Sequence, residues 1–154
     1  MKKLCCLLLV LATLLSLCAC GSAPSPITTE QFTSAMQAKS YQINFPIGFA
    51  YLGPGVTGTN ASRDGISISF FETGSERIAE DAFLAIMADA DSSGLTGFSS
   101  SGSADDLRYA CFYQSFGDDF FICAYVGNTF MVGYCPRGQM NTVKEIFKSF
   151  GYLF

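Results

Sequence analysis

The residues of this sequence that are best suited to take part in chemistry are three cysteines spaced twelve residues apart, Cys111, Cys123 and Cys135. Thiols can form a disulfide, bind zinc or take part in redox chemistry. Zinc sites usually combine closely spaced thiolates with imidazoles, and the chain contains no histidine. The spacing favours buried thiols that act as small hydrophobic side chains, with one disulfide as the alternative.

The hairpins expected around these cysteines decide which pair could bond. A two-residue turn after Val126 places Cys123 opposite Val132, so that Cys123 points away from the face of the sheet that carries Cys135. Cys111 falls opposite Cys123 or opposite Ala124, depending on the geometry of the preceding turn. A cross-strand disulfide between Cys111 and Cys123 is therefore one possible arrangement.

The stretch "DADSSG" is a weak candidate for a calcium site. Asp89, Asp91 and Ser93 occupy the first, third and fifth positions of an EF-hand loop, and Gly94 occupies the sixth, where the loop turns sharply. The twelfth position, which normally holds a bidentate glutamate, is Ser100. A solvated loop start is the alternative interpretation of these residues.

Other catalytic patterns are absent from the sequence. There is no histidine to act as a general base, no Ser-x-x-Lys or Gly-x-Ser-x-Gly spacing, and no glycine-rich phosphate loop. The carboxylate pairs at 105–106 and 118–119 fall where loops and hairpin turns favour aspartate. We therefore assign no catalytic residue and expect no cofactor, while an enzyme built from distant carboxylates stays an alternative.

The charge distribution bears on the class of partner. The chain has nine basic and 13 acidic residues, a net charge of −4, and its lysines and arginines are scattered. Nucleic-acid-binding domains normally carry a clustered basic patch. The composition therefore argues against a nucleic-acid partner.

Two amphipathic helices are expected to position these residues. Thr28, with Gln31 three residues later, has the spacing of a capping box and predicts a helix over 29–39. Apolar residues at a spacing of three to four predict a second helix over 76–89. The polar stretch 91–106 is expected to be a loop.

The remaining segments indicate strands and one more helix. Extended segments are expected at 41–53 and 65–71, separated by the turn-rich stretch "PGVTGTNASRDG". Glycine turns at Gly117 and Gly127 predict a three-stranded meander. A last helix is expected to end at Gly151. The order α-β-β-α-β-β-β-α indicates an α+β domain, over 27–154, with an antiparallel sheet of about five strands.

The middle strand of the meander is apolar on both of its faces. No polar side chain occurs between Phe120 and Val126 except the tyrosine hydroxyl. Both faces of such a strand must be covered. Either helices pack on both faces, or one face is left for a protein, glycan or peptide partner.

The first residues of the chain have the order of a secretory signal. Lys2 and Lys3 precede an apolar run from Leu4 to Leu17, which is short of the about 20 residues that span a bilayer. The segment Leu17-Cys18-Ala19-Cys20-Gly21 resembles the lipobox of bacterial lipoproteins, of the small Gram-positive type. Ordinary cleavage near Ser22 is the alternative.

The resemblance implies a processed and anchored protein. In that family the leader is removed immediately before the lipid-bearing cysteine, so residues 1–19 would be the signal peptide and 20–26 the lipidated N-terminus and tether. Cys20 would carry the lipid and hold the domain on the outer face of the cell membrane. We therefore expect a binding or interaction module of the cell envelope, with a protein or a small molecule as ligand, and an envelope hydrolase or thiol-redox enzyme as the alternative.

Overall fold

A computed structural model describes residues 25–46, 56–92, 97–104 and 107–153. The leader, Cys20 and most of the tether lie outside the described residues, as do Ser93 and the carboxylate pair at 105–106. Lipid anchoring at Cys20 therefore stays a prediction. No helix within the described ranges is long and apolar enough to cross a membrane.

The described residues form one antiparallel sheet with helices on both of its faces. The helices are α1 (Thr29–Ala38), α2 (Glu76–Ser92) and α3 (Met140–Ser149), with a 3-10 turn at Arg137–Gln139. The strands are β1 (Gln42–Asn44), β2 (Thr57–Arg63), β3 (Ile66–Glu72), β4 (Phe98–Ala104), β5 (Leu107–Phe116), β6 (Asp119–Val126) and β7 (Thr129–Pro136). Their order across the sheet is β1-β2-β3-β7-β6-β5-β4.

The α+β class is confirmed, but the strand count is wrong. The sheet has seven strands in place of about five, and the element order is α-β-β-β-α-β-β-β-β-α. Strand β2 lies in a stretch predicted as turns, and β4 lies in the predicted loop 91–106. Both strands are rich in serine, glycine, asparagine or threonine, so they lack the apolar alternation by which strands are recognised.

Pairing with apolar neighbours explains why the polar strand β2 forms. The backbone of Asp64 and Gly65 has positive φ at both residues, 50° and 84°, as a tight type I′ hairpin requires. This turn aligns β2 with β3 over its whole length. The backbone pairing of the hairpin, together with the buried side chain of Ala61, holds the strand in place.

Several local predictions are confirmed. Thr28 and Gln31 form the capping box at the start of α1, and the predicted end at residue 39 differs from the observed end by one residue. Cys123 pairs with Val132, as the two-residue turn predicted. Helix α2, however, continues to Ser92, three residues past its predicted end.

The two faces of the sheet have separate cores. Helices α1 and α3 cover what we call the first face, and α2 covers part of the second face. The core of the first face includes Phe32, Phe70, Ile122, Val143 and Phe147. The core of the second face includes Phe71, Phe83, Phe112, Tyr125 and Phe130. Helices therefore cover both sides of β6.

Candidate ligand-binding site

A cleft of about 700 Å³ opens at one rim of the first face. It lies between the end of α1, the hairpin end of β2 and the outer side of α3. The residues that line it are Lys39, Tyr41, Arg63, Asn141, Thr142, Glu145, Ile146 and Ser149. Almost all of these side chains can form hydrogen bonds, so the cleft is suited to a small polar ligand.

The end of α1 places Tyr41 in this cleft. Ser40 adopts positive φ, 63°, and the backbone N–H of Tyr41 donates to the carbonyl of Met36 at 3.0 Å. The reversal directs the tyrosine ring into the core of the first face, where the residue is only 4% exposed. Its hydroxyl is buried and finds no hydrogen-bond partner among the residues that the structure describes.

Arg63, the last residue of β2, lies against Tyr41. Its guanidinium carbon is 4.5 Å from the centre of the Tyr41 ring, and its Nη1 donates to the carbonyl of Lys39. The Nε atom is buried, and no described residue forms a hydrogen bond with it. Asp64 Oδ2 lies 3.5 Å from this nitrogen, within ion-pair range but outside hydrogen-bonding geometry.

The surroundings keep the Tyr41 hydroxyl protonated. Burial raises the pKa of Tyr41, Arg63 opposes this rise, and the negative charge of Asp64 adds to it. The net result is a pKa above the ordinary tyrosine value, so the phenol can donate a hydrogen bond at neutral pH. Tyr41 and Arg63, whose side chains contact each other, each carry a donor that no described residue satisfies, and such donors suit an acceptor oxygen such as that of a carboxylate or phosphate.

Sequence reasoning missed this cleft. Tyr41 was assigned to an extended segment, and Arg63 to a run of turns. The two residues are 22 positions apart and belong to no motif. The one available signal was an isolated arginine beside an Asp-Gly turn, and it becomes informative only once β2 is known to be a strand.

The three cysteines predicted as chemical candidates are all buried, and in the described part of the chain none of them forms a disulfide. Cys111 pairs with Ala124, and Cys123 pairs with Phe112. The thiols of Cys111 and Cys123 therefore project from opposite faces of the sheet, and the disulfide alternative is not found. Burial, with a smaller contribution from the charge of Cys111, raises the pKa of Cys123 far above its ordinary value. A thiol of this kind is a poor nucleophile.

The calcium candidate is only partly within the described residues. The backbone at Asp89 and Asp91 is helical, within the last turns of α2, and Ser93 lies outside the described part of the chain. In the described ranges no group of three or more histidine, cysteine or carboxylate side chains could hold a metal ion. Calcium binding at Asp89, Asp91 and Ser93 stays a prediction.

Comparison with protein-family models, with curated proteins and with solved structures finds no match to this chain. No relative therefore supplies a function for the cleft, and its chemistry is defined by Tyr41, Arg63 and their neighbours.

Proposed function

We propose that the protein is a lipid-anchored binding module of the cell envelope that holds a small anionic ligand in the cleft beside Tyr41. The observation that carries this function is the pair of buried, unpaired donors, the Tyr41 hydroxyl and Arg63 Nε. A buried polar group without a partner costs about 1–3 kcal/mol. Ligand oxygens would supply the missing hydrogen bonds.

The other residues of the cleft define its preferences further. Lys39 adds a second positive charge at the rim, and Asn141 and Thr142 offer hydrogen bonds from α3. Glu145 lines the same cleft and carries a negative charge, so it opposes an anion. The cleft thus suits a compact ligand whose anionic end lies at Arg63 and whose remaining polar groups face α3.

The binding test uses residues 20–154 titrated with acetate and with inorganic phosphate, followed by backbone amide NMR shifts. We expect saturable shifts around Tyr41 and Arg63 with at least one of these anions. Tyr41→Phe should weaken binding by about tenfold or more, since a hydrogen bond to a charged group contributes about 1.5–3 kcal/mol. Arg63→Gln should remove binding.

Two further measurements separate binding from folding. Tyr41→Phe removes an unpaired buried hydroxyl, so it should leave the unliganded chain as stable as the wild type or about 1 kcal/mol more stable. Glu145→Gln, at an exposed position of α3, should strengthen anion binding because it removes a like charge. Shifts from neither anion, or equal affinity in Tyr41→Phe, would refute the proposed site.

Anchoring is tested on the full-length chain in a bacterial host. Cells grown with a clickable palmitate analogue should label the protein, and Cys20→Ala should remove both the label and membrane retention. Cys18→Ala is the matched control, because it changes a neighbouring cysteine of the leader and should keep the label. Labelling that survives in Cys20→Ala would overturn the assignment of Cys20.

A further inference from the structure

The second face of the sheet has a polar region at the end formed by β1, β2 and β3. Its side chains, which we call the polar platform, are all uncharged amides and hydroxyls. The platform consists of Gln42, Asn44, Asn60, Ser62, Ser67 and Ser69. Residues of a strand alternate between the two faces. These six therefore point to the second face, whereas their neighbours Ile43, Ala61 and Ile68 point to the first face.

The register aligns one row of the platform with an aromatic residue. Gln42 pairs with Ser62, Ser62 with Ser67, and Ser67 with Tyr134. Neighbouring strands are about 4.8 Å apart, so this row spans about 14 Å. A cleft of about 430 Å³ lies over its first three members, with Arg63 and Asp64 at the hairpin end.

Hydrogen bonds within the platform fix its amide groups. Asn60 Nδ2 donates to Ser67 Oγ at 2.9 Å and to Ser69 Oγ at 3.0 Å, and Asn44 Nδ2 donates to Ser62 Oγ at 3.4 Å. Ser69 is buried, whereas Asn60 and Ser62 are half-buried. The accessible hydroxyls and amide oxygens are therefore held in place before a ligand binds.

Tyr134 forms the aromatic end of the row. It is 40% exposed, and its ring centre is 6.2 Å from that of Phe116. The Asp119 carboxylate raises the pKa of Tyr134. The ring thus presents an apolar surface beside a row of hydroxyl and amide groups.

The geometry points to a second binding site on this face, for a neutral oligosaccharide. Sugar rings carry hydroxyls that pair with amide and hydroxyl side chains, and their C–H faces pack on aromatic rings. The six platform residues carry no charge. At the hairpin rim the opposite charges of Arg63 and Asp64 offset each other, so this surface suits an uncharged polyhydroxyl chain. Tyr134 would stack against one ring, and the row from Ser67 to Gln42 would bind the next ones.

This site and the anion cleft lie on opposite faces of the sheet, and Arg63 lines both. Ser67 and Tyr134 do not line the anion cleft, so substitutions at these residues test the second site separately in one chain. Residues 20–154 are titrated with cellotetraose and with chitotetraose, both neutral, and with tetragalacturonate as the anionic comparison. Backbone amide NMR shifts locate the binding.

We expect saturable shifts in β1 to β3 and at Tyr134 with a neutral tetrasaccharide, and weaker binding of tetragalacturonate. Tyr134→Ala should lower the affinity roughly tenfold, while Tyr134→Phe, which keeps the ring, should retain most of it. Phe45→Ala is the matched control, since Phe45 is 88% exposed and outside the row. It should leave the affinity unchanged.

Three results would overturn the glycan site. They are binding of neither neutral tetrasaccharide, equal affinity in Tyr134→Ala, or shifts confined to other parts of the chain. Urea unfolding of Tyr134→Ala, unchanged from the wild type, would show that a loss of sugar binding is not a loss of fold.

Discussion

The two faces of the sheet differ in how completely helices cover them. Two helices pack on the first face, where 18 described residues form one buried core. One helix packs on the second face, where the core has ten described residues and the end carrying Asn60 and Ser62 is polar. The first face therefore contributes more to stability, and the second keeps an open polar region beside its smaller core.

The comparison shows how one strand can contribute both to the stability of the fold and to ligand recognition. In β3, Ile68 and Phe70 belong to the first core, while Ser67 and Ser69 lie on the polar platform. The alternation of a strand separates the two sets by one residue. Stability and recognition are thus encoded in the same seven-residue segment without sharing side chains.

The largest expected effect comes from changing adjacent residues on opposite faces of β3. Phe70 is fully buried and stacks on Phe32 at 5.3 Å between ring centres, so Phe70→Ala should lower the free energy of unfolding by about 3–5 kcal/mol. Ser69→Ala loses one hydrogen bond, from Asn60, and should cost about 0.5–1.5 kcal/mol. Urea unfolding measures both, and similar losses would contradict the difference between the faces.

Alkaline pH should weaken the core of the second face more than that of the first. The folded pKa of Cys123 is raised above the unfolded thiol value of about 8.5. The stability that the neutral thiol provides is complete below that pH and is lost as the pH rises toward the folded pKa, by up to about 1.4 kcal/mol per pH unit. Urea unfolding between pH 8 and pH 10, with a reductant present, measures the slope.

Cys135, on the first face, serves as the comparison in this pH experiment. Burial also raises the pKa of Cys135, but by less than that of Cys123. Cys123→Ala should therefore flatten the pH dependence of stability more than Cys135→Ala does. Tyr152 on the first face also has a raised pKa, and its contribution begins only above about pH 10, the ordinary tyrosine value. Equal slopes in the two alanine variants would contradict the comparison.

The smallest expected effect concerns the attachment of α2 to the second face. Arg108 of β5 forms ion pairs with Glu76 at 2.8 Å and Glu80 at 2.9 Å, in which the arginine is exposed and the two glutamates are partly exposed. Arg108→Gln should cause a small loss of thermal stability that disappears at high salt, because exposed pairs are weak and screened. Arg77→Gln, whose partner Asp81 is 3.5 Å away at an exposed position, should cause less. A large loss of thermal stability that salt leaves unchanged would indicate that Arg108 acts through the packing of its side chain and not through its ion pairs.

The elements that could be predicted are those with strong local signals. The capping box at Thr28, the apolar spacing of α2 and the glycine turns of the meander act within a few residues, and each is present in the structure. Strands β2 and β4 could not be predicted in this way, because their sequences are polar and they form by pairing with β3 and β5. Tertiary hydrogen bonding overrides their weak strand preference.

The sites depended on tertiary structure almost entirely. From its residues alone, the chain established an α+β composition, a meander with cysteines on separate strands, and a leader that resembles a lipobox at Cys20. Tertiary structure decided that Cys111 and Cys123 lie on opposite faces, that Tyr41 meets Arg63, and that Tyr134 ends a row of hydroxyl and amide groups. The physical reason is that turns and caps are short-range interactions, whereas a binding site requires residues far apart in the chain to meet.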